Sequence, residues 1–223
     1  MPQGSSLSPT LYTIYTYDIP PPAIDCLNIQ YADDITQVIS YAGKSRAMMA
    51  NRTRREIEKI NTYERKWKIK TNSTKFKIIP TALTKKHDII INGTKIDYSE
   101  NGNILVLTIS RSGIIKHISE TRNKGIHALT ELRKLRNIPT GIKIHLIKAY
   151  VLPILRYPII PLVTSSKKSI KKLQTVQNQA LRFAFNERFP YVKNTVTLHE
   201  ESNIEPLNLH LYNQATKKKL IRC

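Results

Sequence analysis

The sequence predicts an α+β fold in two parts, and three observations lead there. Short β-prone runs separated by turn residues fill the chain to about residue 112. Among them, Asn92-Gly93 between apolar runs is the strongest short-range signal for a tight hairpin. Beyond Gly113, apolar residues recur at helical spacing and continue to do so. The expected division is therefore a mixed part, 1–112, and a mostly helical part, 113–223.

Leu7, Leu11, Ile14 and Tyr15 recur at helical spacing, with Ser5 or Ser6 as N-cap and Pro9 in the first turn. Pro20, Pro21 and Pro22 are expected to end that helix. Leu27–Tyr31 and Ile35–Tyr41 are β-prone runs flanking Ala32-Asp33-Asp34, which reads as a hairpin. Met49, Ile57, Ile60 and Trp67 mark one face of a helix from about Ser45 to Lys68. Phe76–Ile79 reads as a strand, Ile89–Ile91 and Thr94–Ile96 as a hairpin, and Ile104–Ile109 as a further strand. Three helical stripes come next: Ile115, Ile118, Ile126, Leu129 and Leu132; then Ile147, Val151 and Ile154; then Ile170, Leu173, Ala180, Leu181 and Ala184.

Composition narrows the class. Of 223 residues, 36 are Lys or Arg and 16 are Asp or Glu, a formal charge of +20. Residues 1–50 carry Lys44 and Arg46 against Asp18, Asp25, Asp33 and Asp34, a net of −2, which leaves 34 basic and 12 acidic residues beyond them. So large a basic excess suits a polyanion, most commonly nucleic acid, or else a solvated basic surface. Cys26 and Cys223 cannot build a disulfide framework, and the histidines never fall at metal-ligand spacing. No secretory signal pattern opens the sequence. The longest apolar stretch, Ala149–Val163, is broken by Arg156 and by prolines and is too short for a bilayer. The expectation is a soluble, intracellular protein of cytoplasm and nucleus, with no membrane partner.

Chemistry concentrates at Tyr31-Ala32-Asp33-Asp34. In a tight turn, two adjacent carboxylates reach one divalent cation, and oxygen ligands of this kind suit magnesium. A pair of such ions clamps the attacking and leaving oxygens of phosphoryl transfer. Read alone, the dipeptide is an ordinary solvated turn.

Its context is more specific. Pro2-Gln3-Gly4-Ser5-Ser6-Leu7-Ser8-Pro9, continuing to Asp18-Ile19-Pro20, resembles the loop-plus-helix motif of reverse transcriptases. Tyr31-Ala32-Asp33-Asp34 then resembles their metal-binding hairpin, in the style of jockey-like non-long-terminal-repeat retrotransposons. Trp67–Lys75 is similar to the next palm motif, and Leu105-Val106-Leu107, followed by His117-Ile118, sits where the primer grip belongs. Val151–Tyr157 and Gln174–Phe183 resemble the helical region after the palm.

The resemblance implies the second part of a right-hand polymerase palm, followed by a helical, thumb-like region. It implies RNA-directed DNA synthesis with an RNA template, a DNA primer and deoxynucleoside triphosphates. Asp33 and Asp34 would hold Mg2+ as catalytic carboxylates, Asp33 the more essential. Gln3 and Gly4 would line the pocket for the template base and incoming nucleotide, Tyr31 would sit beside the primer end, and Lys75 near the phosphates. The family's third metal-binding Asp lies on a strand expected upstream of Met1, with the fingers, in a longer polyprotein. Asp18 and Asp25 are poor substitutes, so the isolated chain is expected to be inactive. Lys167, Lys168, Lys171, Lys172 and the run Lys217-Lys218-Lys219 suit backbone phosphates or a localisation signal. Trp67 is expected to pack in the core. Phe76 stands where the family usually has Thr, Val106 where it has Gly, and Pro158 where Gly follows the Tyr. These departures fit drift in a divergent element or decay of a dead copy. The alternative function is a non-catalytic, basic nucleic-acid-binding remnant.

Overall fold

Pro9 has no N–H to leave unsatisfied, which suits the first turn of α1 (Ser8–Tyr15). The computed structural model describes residues 5–43, 45–69, 72–80, 89–91, 94–187 and 193–217. The helix stops at Tyr15, short of the prolines expected to end it. No residue of α1 is buried, so no packing extends it. Beyond it, the chain is captured by side chains of α2 (Arg46–Trp67). Tyr63 Oη donates to the Tyr15 carbonyl at 3.2 Å, and Trp67 Nε1 donates to Asp18 Oδ2 at 2.9 Å.

α2 has the caps its sequence calls for. Ser45 accepts from the Met48 N–H, and Lys68 closes the other end with φ 54. Its buried Glu56 accepts from Lys59 at 2.9 Å and from the Ala23 N–H at 3.3 Å. That second bond fixes the proline-rich loop just before β1 (Cys26–Tyr31), which pairs antiparallel with β2 (Asp34–Ile39).

α2 also covers a small core. Ile57 meets Ile89 of β3 (Ile89–Ile91) and Ile96 of β4 (Thr94–Ile96), with Phe76, Ile78 and Tyr98 packed around them. The turn at Asn92-Gly93 lies outside the described residues, but Ile91 and Thr94 are paired across it. Two expected strands differ. Of Phe76–Ile79, only Ile78 bridges, to Tyr98, because the segment has no longer partner to ladder against. Ile104–Ile109 is not one strand. Leu105 takes φ 54, and the run folds back as β5 (Asn101–Ile104) on β6 (Leu107–Ser110).

The chain separates into two compact units, Met1–Gly102 and Asn103–Cys223. In the second, Gly113 at φ 74 turns the chain into α3 (Ile115–Arg133). Residues 140–156 form one continuous helical run: α4 (Thr140–Leu146), a π turn (Ile147–Val151) and α5 (Leu152–Arg156). Pro153 explains the wide turn, since its ring clashes with the carbonyl four residues back in a regular helix. After α6 (Ile159–Val163), α7 (Lys167–Ala184) crosses the unit, and α8 (Thr195–Ser202) and α9 (Leu207–Lys217) close it.

The core of this unit is built from the predicted stripes: Ile118, Leu129 and Leu132 of α3, Ile147 and Val151 of the π turn, and Leu173, Ala180, Leu181 and Ala184 of α7. Ile115 was expected in the first stripe but stays exposed, because it lies in the first helical turn, outside the packed span. α3 approaches α5 and α7 through Gly125. A Cβ there would lie 2.8 Å from Leu155 Cδ2 and 3.3 Å from Val176 Cγ1. Polar residues of α7 latch the segment leading into α9. Gln174 Oε1 accepts the Leu207 N–H at the start of that helix, and Gln177 Nε2 donates to the Glu205 carbonyl at 2.8 Å.

Candidate functional site

The hairpin β1–β2 carries the two carboxylates. Tyr31 and Asp34 are direct cross-strand partners, so Ala32-Asp33 is a two-residue loop. Ala32 adopts φ 50, the left-handed conformation such tight connections need. Asp33 therefore sits in the turn and Asp34 opens β2, both exposed. Tyr31 is 64% exposed, on the face that also bears Leu27, Ile29 and Val38, all exposed.

The other face is tied to the segment after α1. Gln30 Nε2 donates to Thr16 Oγ1 at 3.1 Å, and Asn28 Nδ2 to the Pro20 carbonyl at 3.4 Å. Asn28 Oδ1 in turn accepts from Gln37 Nε2 at 3.1 Å. One consequence is electrostatic: partial burial, with the charge of Asp33 added, raises the Tyr12 phenol above its ordinary value. Tyr12 of α1 thus lies within electrostatic reach of Asp33. Sequence reading missed it, because its only signal was a place on a helix within the adjacent motif.

Gln3 and Gly4 lie outside the described residues. Lys75 ends a short 3-10 turn, Ser73–Lys75, and is exposed. Asn72 shapes that turn by accepting from Thr74 through both its N–H, at 3.1 Å, and its Oγ1, at 2.6 Å. No ion pair among the described residues joins Lys75 to Asp33 or Asp34.

Asp18 and Asp25, the other acids of this segment, are both engaged elsewhere. Asp18 receives Lys66 Nζ at 3.2 Å and the Trp67 indole at 2.9 Å. Desolvation opposes its charge, but those two hydrogen bonds prevail and hold its carboxyl below the usual range. Asp25 pairs with Arg52 at 3.3 Å. Trp67, expected in the core, stands at the rim of its unit instead. Its ring meets Tyr15 edge-on at 5.7 Å, and Lys66 Nζ lies 4.9 Å over it.

His117 ties α3 to the strand that follows Leu105-Val106. Buried His117 on α3 accepts the Thr108 N–H of β6 at Nδ1, 3.3 Å away, and its Nε2 lies 3.3 Å from Thr121 Oγ1. Leu105, not Val106, takes the left-handed turn of the hairpin before it. Lys167, Lys168, Lys171 and Lys172 are exposed on α7, whose first turn holds no acid. Of the second lysine run, Lys217 ends α9 and is exposed, while Lys218 and Lys219 lie outside the described residues.

Two exposed carboxylates on one tight turn are hard oxygen donors and fit a divalent cation in part. Among the described residues, no group of three or more His, Cys, Asp or Glu side chains gathers as a metal cage. Among them too, no helix is long and apolar enough to cross a membrane.

The family described as "Reverse transcriptase (RNA-dependent DNA polymerase)" matches residues 1–108. The chain is similar to the "Probable RNA-directed DNA polymerase from transposon BS" of Drosophila melanogaster, 27% identical over 92% of the chain and 24% of that protein. It is similar to the "RNA-directed DNA polymerase from mobile element jockey" of the same organism, 24% identical over 97% of the chain and 25% of that protein. The X-element polymerase shows 23% identity over 90% of the chain and 23% of its own length. The chain thus spans about a quarter of the length of these relatives. No solved structure matches it significantly.

Proposed function

We propose, on the match of residues 1–108 to the reverse transcriptase family and the similarity to transposon polymerases, that the chain forms the palm hairpin and thumb of a retrotransposon RNA-directed DNA polymerase. The observation that carries this reading is the exposed carboxylate pair, Asp33 in the two-residue hairpin turn and Asp34 at the start of β2. In this role they hold magnesium, Asp33 from the turn and Asp34 from the start of β2. The chemistry that two bound Mg2+ ions supply is neutralisation of charge on the attacking and leaving oxygens. Tyr31 borders the primer end, Gln3 and Gly4 border the template base and incoming deoxynucleoside triphosphate, and Lys75 balances phosphate charge. The exposed lysines of α7 hold the RNA template and DNA primer through their backbones. The work belongs inside the cell, in cytoplasm and nucleus, with the fingers segment of a longer polyprotein as the complementary part.

The test is primer extension on an RNA template by a protein that includes this chain within the length of its relatives. Extension requires Mg2+, and Asp33→Asn lowers it by a factor on the order of a thousand, because positioning and electrostatics supply most of phosphoryl-transfer catalysis. The 223-residue chain alone, with two carboxylates at the site, is expected to give no extension. Wild-type extension by the Asp33→Asn variant would sink the assignment.

A second reading is favoured by the lysines of α7, exposed with no acid in their turn: a nucleic-acid-binding protein without catalysis. It predicts duplex affinity that Asp33→Asn leaves intact and extension that is absent from wild type as well.

A further inference from the structure

Lys143 of α4 is 1% exposed, a full ammonium taken out of water. Such a charge is costly to bury unless an ionised partner compensates it. Among the described residues no carboxylate does. Its Nζ donates to Asn186 Oδ1 at 2.6 Å and lies 5.1 Å from the centre of the Phe183 ring. An amide oxygen and an aromatic face soften the charge without cancelling it.

The arrangement dictates which way Asn186 faces. An ammonium only donates hydrogen bonds, so the amide turns its oxygen toward Lys143 and keeps its NH2 for another partner. Asn186 follows the last turn of α7 at φ 55, a conformation asparagine tolerates better than most residues. It also lines a polar cleft of about 630 Å3, together with Arg136, Asn137 and Ile138 from the connection between α3 and α4. The residues lining the cleft thus include one arginine and two asparagines, side chains rich in N–H donors. A buried cation stands one hydrogen bond behind, and among the described residues no carboxylate lines the cleft. Donors and positive charge, with no acid among the described lining residues, suit an anion with several oxygens.

We propose that this cleft is a phosphate-binding site, with Arg136 and Asn186 contacting the phosphate oxygens and Lys143 as a positioning residue that orients and polarises Asn186. The site stands on the geometry of the second unit and does not depend on Asp33 or Asp34. The phosphate belongs either to a nucleic-acid backbone or to a free species such as inorganic phosphate or a nucleotide.

The test uses the 223-residue chain and inorganic phosphate as the probe, with thermal unfolding monitored by circular dichroism against chloride at matched ionic strength. Ligand that binds only the folded state raises Tm in proportion to its occupancy. The expected result is a phosphate-specific rise in wild type. Arg136→Gln, Asn186→Gly and Lys143→Met should each weaken apparent phosphate affinity about tenfold, the effect of one charge-assisted bond. Asn186→Gly keeps the positive φ, and Lys143→Met replaces the ammonium with an apolar chain of similar length. Equal Tm in phosphate and chloride for wild type overturns the proposal. So does wild-type phosphate affinity in folded Arg136→Gln and Asn186→Gly.

Duplex binding then identifies the source. If the site holds a backbone phosphate, Arg136→Gln reduces the salt slope of duplex affinity by about one. An unchanged slope beside lost phosphate stabilisation assigns the site to a free phosphate. Phosphate stabilisation in a chain that binds no duplex assigns the site to a free phosphate, while primer extension by the longer protein decides the polymerase reading separately.

Discussion

His117 shows how a single side chain couples two elements to pH. Burial lowers its pKa below the ordinary value, and the nearby Glu120 only partly opposes that. Its Nδ1 accepts the Thr108 N–H, a role that protonation abolishes. The unfolded chain therefore takes up a proton more readily than the folded one. Stability from this group is complete above about pH 6.5 and is lost as the pH falls through the depressed value. Urea unfolding followed by circular dichroism should show a midpoint that drops between neutral and mildly acidic pH. His117→Asn retains an acceptor near the Nδ1 position and does not titrate, so the drop should be visibly shallower. The same slope in both proteins would assign the pH dependence elsewhere, to His210 first. That imidazole is also lowered, by burial and then by the charge of Arg156.

Among the elements, the long helices and the hairpins with their own turn signal were legible in the sequence. Ser45 and Lys68 bound α2 as periodicity and capping suggest, and the α7 stripe from Leu173 to Ala184 is buried as read. The failures share a cause. Phe76–Ile79 and Ile104–Ile109 both look like strands, yet a strand is decided by its partner, which no local pattern names. Leu105 adopts a left-handed turn because β5 and β6 pair, against its own preference. The site was legible to the same extent. Asp33 and Asp34 stand out as a motif, whereas Tyr12 enters only through the charge of Asp33, which reaches it in the folded chain. Helix packing carries its own prediction at Gly125. A valine there would press into Leu155 and Val176, and overpacking together with the β-branched helix penalty should cost about 2–3 kcal/mol. A denaturation midpoint unchanged from wild type would mean that α3 can move away from α5 and α7 without loss.

At the scale of the molecule, charge and cores are distributed unevenly. The net +20 comes entirely from beyond residue 50. Ion pairs elsewhere absorb part of it, as in Lys193–Glu201 and Lys134–Glu131, while Lys167, Lys168, Lys171 and Lys172 lie exposed on one end of α7. Replacing all four with Gln should lower the salt slope of duplex affinity by up to about four, about one per lysine in phosphate contact. An unaltered slope, measured by anisotropy of a labelled RNA–DNA hybrid, would place the polyanion on another face. The two units also differ in their spectroscopy. The chain has one tryptophan, Trp67, and it belongs to the unit that carries Asp33 and Asp34. Its indole is held by Asp18, flanked by Tyr15 and overlain by Lys66. Light absorbed by indole alone therefore interrogates the hairpin-bearing unit and is blind to the helical one. Emission colour and quenching become a native optical gauge of that unit, with no label attached.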